Sequence, residues 1–334
     1  MDVKTKVKKD KDLFVSEIEC EKGWEKDLGK NFLSYRKTWQ KVCENKLITE
    51  FPMHLNVELN RTCNYKCIMC PRTVTRNTNS QSEEPLMDTG LYKKVIDEAS
   101  SNNLYALEVS FLGEPLLRKD LPELLSYAKH KGILDVRIHT NGLLLNEGIS
   151  KKLLDAGLTF IQISLDANSK EIYEKIRIGG DFQAVVTNCL NFIKLKKERK
   201  LSYPVIKVSF VKMESNKNEM KRFVEFWKNK VNYISIQEYI DFKSFSQENK
   251  NIVNNSFVCP QLFQRLVIQW DGTVVPCCSD VNNKLKLGNA WDNNLKDIWN
   301  SGRLKAIREL HLSHNYHKIS VCRACYASKS GISR

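Results

Sequence analysis

Cys63, Cys67 and Cys70 stand three and then two residues apart in the segment RTCNYKCIMC. A loop of that size aims three thiolates at a common centre, where they can cap three corners of a cubane iron-sulfur cluster and leave the fourth iron open. An open iron chelates the amino and carboxylate groups of a ligand and passes an electron into it. A three-thiolate zinc site has the same spacing. A second group, Cys259, Cys277, Cys278, Cys322 and Cys325, gathers in the last quarter of the chain. Cys259 is followed by twelve residues, Gly272, four residues and Cys277, and Cys322-Arg323-Ala324-Cys325 closes the set. Cys259, Cys277, Cys322 and Cys325 together can complete a cluster with no open iron, or a four-cysteine zinc site. Cys278 reads as a substitute for Cys277, as a thiol hydrogen donor beside a substrate, or as a small buried residue. Cys20, Cys43 and Cys189 stand alone and read as structural.

Eleven cysteines in 334 residues, with no apolar run near the start, point to metal rather than to a disulfide framework. No stretch approaches the roughly 18 to 20 apolar residues of a membrane span, so a soluble, cytoplasmic protein is expected. The formal charge is +14, of which the first dozen residues supply five lysines against three aspartates. An excess spread over the folded body suits an acidic partner. The absence of a basic-plus-aromatic RNA-binding signature argues against nucleic acid. An acidic flavodoxin or ferredoxin, bringing electrons, fits better.

These thiols need a scaffold. Leu28, Phe32, Tyr35, Trp39 and Val42 recur at steps of four and three, which predicts a helix over about 26–45 packed on the main body. Strands are expected at 53–59, 104–111, 135–140, 159–165, 204–211 and 233–238, with helical stretches between. Such alternation implies an α/β fold of parallel strands and right-handed crossovers: a partial (β/α)6 TIM-like barrel with ligands at the C-terminal strand ends. Past residue 240, LVIQW, Asp271-Gly272 and TVVPC read as a β-hairpin, and LKDIWNSGRLKAIREL as one helix. The expected layout is a disordered basic tail at 1–12, a helical extension at 13–50, a core at 51–240 and a cluster-binding domain at 241–334.

RTCNYKCIMC resembles the signature of the radical S-adenosylmethionine (radical SAM) family. The departure is Met69, where the family usually has an aromatic residue, and Met can still pack beside the adenine. Further elements of the family follow in order at successive strand ends: Gly113-Glu114-Pro115, His139-Thr140-Asn141-Gly142, Ser164-Leu165-Asp166, and Arg177 one helix later. The resemblance implies that Glu114 accepts hydrogen bonds from the methionine ammonium. It implies that Asn141, Ser164 and Asp166 reach the ribose and methionine, and that Arg177 pairs with the methionine carboxylate. Taken singly these are a turn, common caps and a solvated arginine.

The C-terminal cysteines resemble the SPASM domain, in its shortened twitch form, with one auxiliary 4Fe-4S cluster. Their spacing is most similar to that of 2-deoxy-scyllo-inosamine dehydrogenase. The implied mechanism is reductive cleavage of S-adenosylmethionine at the first 4Fe-4S cluster and removal of a substrate hydrogen atom by the deoxyadenosyl radical. The auxiliary cluster takes the leftover electron, which gives two-electron oxidation of a sugar or cyclitol alcohol. Epimerisation or crosslinking of a ribosomally made peptide is the alternative, because other SPASM and twitch relatives act so; the roughly 50 residues ahead of the first barrel strand look too short for a winged-helix peptide-recognition domain. A third reading is a non-catalytic iron-sulfur electron-transfer or assembly protein. Glu238, Asp241 and Asp280 are candidates for the substrate pocket, and each equally suits a loop carboxylate.

Overall fold

A computed structural model describes residues 7–10, 15–21, 23–74, 85–241 and 257–329. Strands β1 (Val7–Asp10) and β2 (Val15–Glu19) precede helix α1 (Gly29–Asn45). The six expected core strands follow as β3 (His54–Val57), β4 (Ala106–Val109), β5 (Asp135–Thr140), β6 (Phe160–Ser164), β7 (Val205–Lys212) and β8 (Tyr233–Glu238). All six pair in parallel in the order 3-4-5-6-7-8. Between them run α2 (Pro71–Val74), α3 (Thr89–Ser101), α4 (Leu121–His130), α5 (Glu147–Asp155), α6 (Lys170–Ile176), α7 (Phe182–Glu198) and α8 (Met220–Trp227). Local chemistry starts the helices where the pattern places them: Asp88, Asn146, Ser169 and Asp181 each accept a hydrogen bond from a first-turn backbone N–H.

The hairpin is present. β9 (Arg265–Ile268) and β10 (Thr273–Val275) pair antiparallel, with Gly272 at φ 84° where only glycine turns without strain. β9 also pairs in parallel with β3, and β11 (Gly288–Asn289) pairs with β10, so the C-terminal cysteine segment grows out of the core sheet. Two expectations are corrected. Val7–Asp10, read as part of a disordered tail, pairs with β2, and β2 pairs antiparallel with β8, so the segment before α1 is not purely helical. The C-terminal helix is two helices, α9 (Leu295–Trp299) and α10 (Gly302–Leu312), because Ser301 caps the second through Leu304 N. Two short helices, α11 (Ser320–Ala324) and α12 (Tyr326–Lys329), follow.

The alternation of the strands divides the sheet. Leu55, Val57, Leu107, Val109, Val136, Ile138, Ile161, Ile163, Ile206 and Val208 are buried in the main apolar core, each worth about 1.5–3 kcal/mol of burial. The opposite face carries His54, Asn56, Glu58, Glu108, Arg137, His139, Gln162 and Lys207 and forms a polar barrel lumen. Helix α1 lies against its N-terminal end: Tyr35 stacks on Tyr105 at 5.2 Å, and Trp39 meets His54 at 5.9 Å.

Candidate functional site

The triad of cysteines lies on the connection from β3 to α2, beyond the C-terminal end of the strand. Backbone bonds hold this loop against the end of α6: Lys66 N donates to Ile178 O at 2.8 Å, and Ile68 N to Ile176 O at 3.0 Å. The neighbouring turn is held as tightly, since Glu114 N donates to Thr62 O and Asn60 Nδ2 donates to Glu114 O. A Cβ on Gly113 would lie 2.2 Å from both the backbone oxygen and Oδ1 of Asn60, so only glycine permits this approach.

Glu114 is buried. Its Oε1 accepts from Thr140 Oγ1 at 2.7 Å and Leu116 N at 3.0 Å, and its Oε2 accepts from Asn141 N at 2.8 Å. Burial pushes its carboxyl above the usual range despite these donors. A carboxylate has about four acceptor positions, so Oε2 keeps one free for an outside donor. Asn141 bridges onward, donating from Nδ2 to Asn64 Oδ1 within the cysteine loop at 2.8 Å. Ser164 is half-buried at the end of β6.

Asp166 and Arg177 form a 2.5 Å ion pair with both side chains buried. Asp166 adopts φ 64° and its Oδ1 accepts from Val211 N at 2.7 Å, while Asn216 Nδ2 donates to its backbone oxygen. Arg177 also points Nη1 at Cys67 Sγ, 3.8 Å away, and its buried Nε has no hydrogen-bond partner among the described residues. The arginine therefore stands at the cysteine loop. Asp166 is occupied in holding it.

The donor set fits a thiolate-held cluster with an amino-acid ligand. Burial pushes the Cys67 thiol up to about 11 and raises Cys63, and the neighbouring thiols add to it. Such sulfurs ionise readily only beside a cation. A free lone pair on Glu114 and an orphaned Arg177 Nε complement an ammonium and a carboxylate. The C-terminal thiols repeat the pattern. Burial first, and mutual repulsion second, raise Cys259 to about 12 and drive Cys277 and Cys322 well above their ordinary value. Cys277 is within electrostatic reach of Cys278, Cys259, Cys322 and Cys325 alike. Among the described residues no three or more His, Cys, Asp or Glu side chains converge to hold a single ion; cubane ligands bind separate irons and need not converge.

Cys278 leans the other way. Its thiol donates to Gln261 Oε1 at 3.6 Å, and it feels Arg265 and Glu108 of the lumen as well as Cys325. Cys189 and Cys43 are buried and Cys20 half-buried, none of them in a disulfide. Asp280 organises its own loop, accepting from Lys284 N at 2.9 Å and Leu285 N at 2.7 Å. Glu238 pairs with Lys212 at 2.6 Å in a half-exposed position. Asp241 is exposed beside Tyr239, whose phenol is raised by burial and then by that carboxylate.

Sequence reasoning missed the lumen cluster. Glu108 Oε2 lies 3.9 Å from His54 Nε2 and 3.7 Å from His139 Nε2, and Asn56 Nδ2 donates to Glu108 Oε1 at 3.0 Å. Burial alone would raise Glu108, but His139, His54, Arg265 and Arg137 outweigh it and hold the carboxyl down at about 2. Burial lowers His54 to about 3 and lowers His139, so both imidazoles are neutral at pH 7. His139 keeps 36% of its side chain accessible while facing Glu108. The available signal was the alternation that sets Asn56, Glu108, Arg137 and Gln162 on the face opposite the buried aliphatic residues of four successive strands.

The profile of the radical SAM superfamily matches residues 57–226, and that of an iron-sulfur cluster-binding domain, SPASM, matches 259–326. A probable GTP 3',8-cyclase of Methanocaldococcus jannaschii is 31% identical over 189 residues, 57% of this chain and 59% of that protein. The chain thus spans little more than half of that relative. Among solved structures, BtrN in complex with AdoMet and 2-DOIA is 20% identical with a TM-score of 0.56, covering 84% of this chain and 94% of BtrN. Streptococcus suis SuiB bound to its precursor peptide SuiA is 16% identical with a TM-score of 0.62, covering 83% and 70%. These likenesses show the fold.

Proposed function

The chain belongs to the radical SAM superfamily, and from that premise we propose that it oxidises an alcohol on a small polar molecule, a sugar or cyclitol, held in the barrel lumen. Its cofactors are S-adenosylmethionine and a 4Fe-4S cluster, with further iron-sulfur binding in the SPASM domain. When bound, these groups supply reductive cleavage of the sulfonium, hydrogen-atom abstraction from carbon, and an acceptor for one electron. Cys63, Cys67 and Cys70 would hold the first cluster, and Cys259, Cys277, Cys322 and Cys325 the second. Glu114 Oε2 would accept from the methionine ammonium and Arg177 Nε would donate to its carboxylate. Asn141 and Ser164 would contact the same ligand, and Asp166 would act through Arg177.

The observation that carries the oxidation is the lumen pair of His139 Nε2 and Glu108 Oε2, 3.7 Å apart, with Cys278 in electrostatic range of both Glu108 and Cys325 of the auxiliary set. A substrate against Glu108 and His139 would sit beside an electron outlet. His139, neutral and partly open, accepts the hydroxyl proton, with Glu108 stabilising the imidazolium that results. The hydroxyl proton would stay on His139, while the hydrogen atom and the remaining electron are what the bound cofactors would take up.

A second reading, cyclisation of a purine nucleotide, is supported by the 31% identity to a probable GTP 3',8-cyclase. Peptide modification is supported by the fold shared with SuiB bound to SuiA. Anaerobically reconstituted, reduced protein is expected to cleave S-adenosylmethionine, which a plain electron carrier would not do. Offered 2-DOIA, other aminocyclitols, GTP and cysteine-containing peptides, it should yield a carbonyl product from a cyclitol, and cleavage coupled only to GTP or peptide would refute the oxidation. His139→Gln should slow turnover and flatten its dependence on pH while uncoupled cleavage persists.

A further inference from the structure

His311 is fully buried on α10, its ring stacked on Tyr316 at 5.6 Å and edge-on to Phe257 at 5.9 Å. Both ring nitrogens have partners. The backbone N–H of Cys259 points at Nδ1 from 3.3 Å, and Cys322 Sγ lies 3.3 Å from Nε2. An amide N–H can only donate, so Nδ1 must be the accepting, unprotonated nitrogen. The neutral imidazole then carries its proton on Nε2, aimed at the sulfur.

We propose that His311 donates an Nε2–H···S hydrogen bond to the Cys322 thiolate of the auxiliary cluster and thereby raises that cluster's reduction potential. The inference rests on the reading of Cys322 as a ligand of that cluster. A hydrogen bond to a ligating sulfur draws off charge and favours the reduced, more negative state. This suits a cluster that receives an electron from substrate. Direct ligation of iron by Nε2 would instead require the proton on Nδ1, where it would face the Cys259 N–H. The same imidazole ties Cys259 to Cys322, two sulfur-bearing segments far apart in the sequence, so it also fixes the spacing of their ligands.

The test uses the full chain with Cys63, Cys67 and Cys70 changed to alanine, reconstituted anaerobically so that only the auxiliary cluster gives a signal. Potentiometric titration followed by EPR should show a more negative midpoint in His311→Phe at unchanged iron and sulfide content. Part of the shift should be recovered in His311→Gln, whose amide can still reach the sulfur. Pulsed EPR with 15N-labelled histidine should show one weakly coupled nitrogen in the parent. An unchanged midpoint at full loading overturns the proposal, as does a strongly coupled, iron-bound nitrogen. Should His311→Phe fail to load, the coupling in the parent decides: a weak coupling supports the hydrogen bond and none removes it. A Cys322→Ala chain that keeps the full cluster with an unaltered spectrum would instead remove the ligand assignment beneath it.

Discussion

Replacing Arg177 by methionine isolates the anchor of the cysteine loop. The guanidinium is 2.5 Å from Asp166, with 9% and 0% of the two side chains accessible, so water screens the pair little. At an effective dielectric constant of about 20 and roughly 4 Å between charge centres, the attraction is about 4 kcal/mol. Removing one partner of a buried pair costs about 3–5 kcal/mol, because the other charge stays buried. Among the described residues, the Asp166 carboxylate would keep only the Val211 N–H on Oδ1. Asp166→Asn is the matching change, since asparagine tolerates the φ of 64° and can still accept from Val211. Thermal unfolding should show each single variant melting roughly 4–7 °C lower, at about 1.4 °C per kcal/mol for a chain of this size. The double variant should regain much of that loss, because neither charge is left stranded. Arg177→Met should also weaken binding of S-adenosylmethionine, through loss of the contacts to Cys67 and to a ligand carboxylate. A melting point within about 2 °C of the parent, or a double variant no more stable than the worse single one, would refute the view that the pair holds the loop.

Gly113→Ala should push the Asn60 turn away from a Cβ 2.2 Å off, at a cost of about 1–3 kcal/mol, and lower the iron bound per chain; full loading at unchanged stability would count against the packing argument. Glu114→Gln removes the charge that would meet the methionine ammonium, so affinity for S-adenosylmethionine measured by equilibrium binding should fall by roughly 10- to 150-fold, the equivalent of about 1.5–3 kcal/mol, while iron content holds. His54 gives a pH signature. Its folded value is depressed from 6.5 to about 3, so the unfolded chain takes up the proton first and stability falls as pH drops through 6.5, by at most about 1.4 kcal/mol per pH unit. Glu108, held at about 2, adds its own loss only below its ordinary value near 4.5. Between pH 7 and 5 the parent should therefore lose roughly 2 kcal/mol relative to His54→Gln, and parallel stability profiles would exclude the mechanism.

The spacing of Cys63, Cys67 and Cys70, the alternation of six strands with helices and the Asp271-Gly272 hairpin were legible because each is a local property: a loop length, a side-chain period, a turn preference. The order of Glu114, Asn141, Ser164 and Arg177 along the strand ends was legible for the same reason. What those residues do to one another was not. That Asp166 serves Arg177, that Glu114 spends three acceptor positions on Thr140, Leu116 and Asn141, and that His54, Glu108 and His139 meet across three strands depend on which strands lie side by side. His311 is the clearest case. On its helix it follows Leu304, Ile307 and Arg308 along the buried face and reads as one more core residue. Only the packing of α10 against the cysteine-bearing segments puts its two nitrogens between Cys259 and Cys322, because a hydrogen bond is decided by distances of a few ångströms that no sequence period encodes.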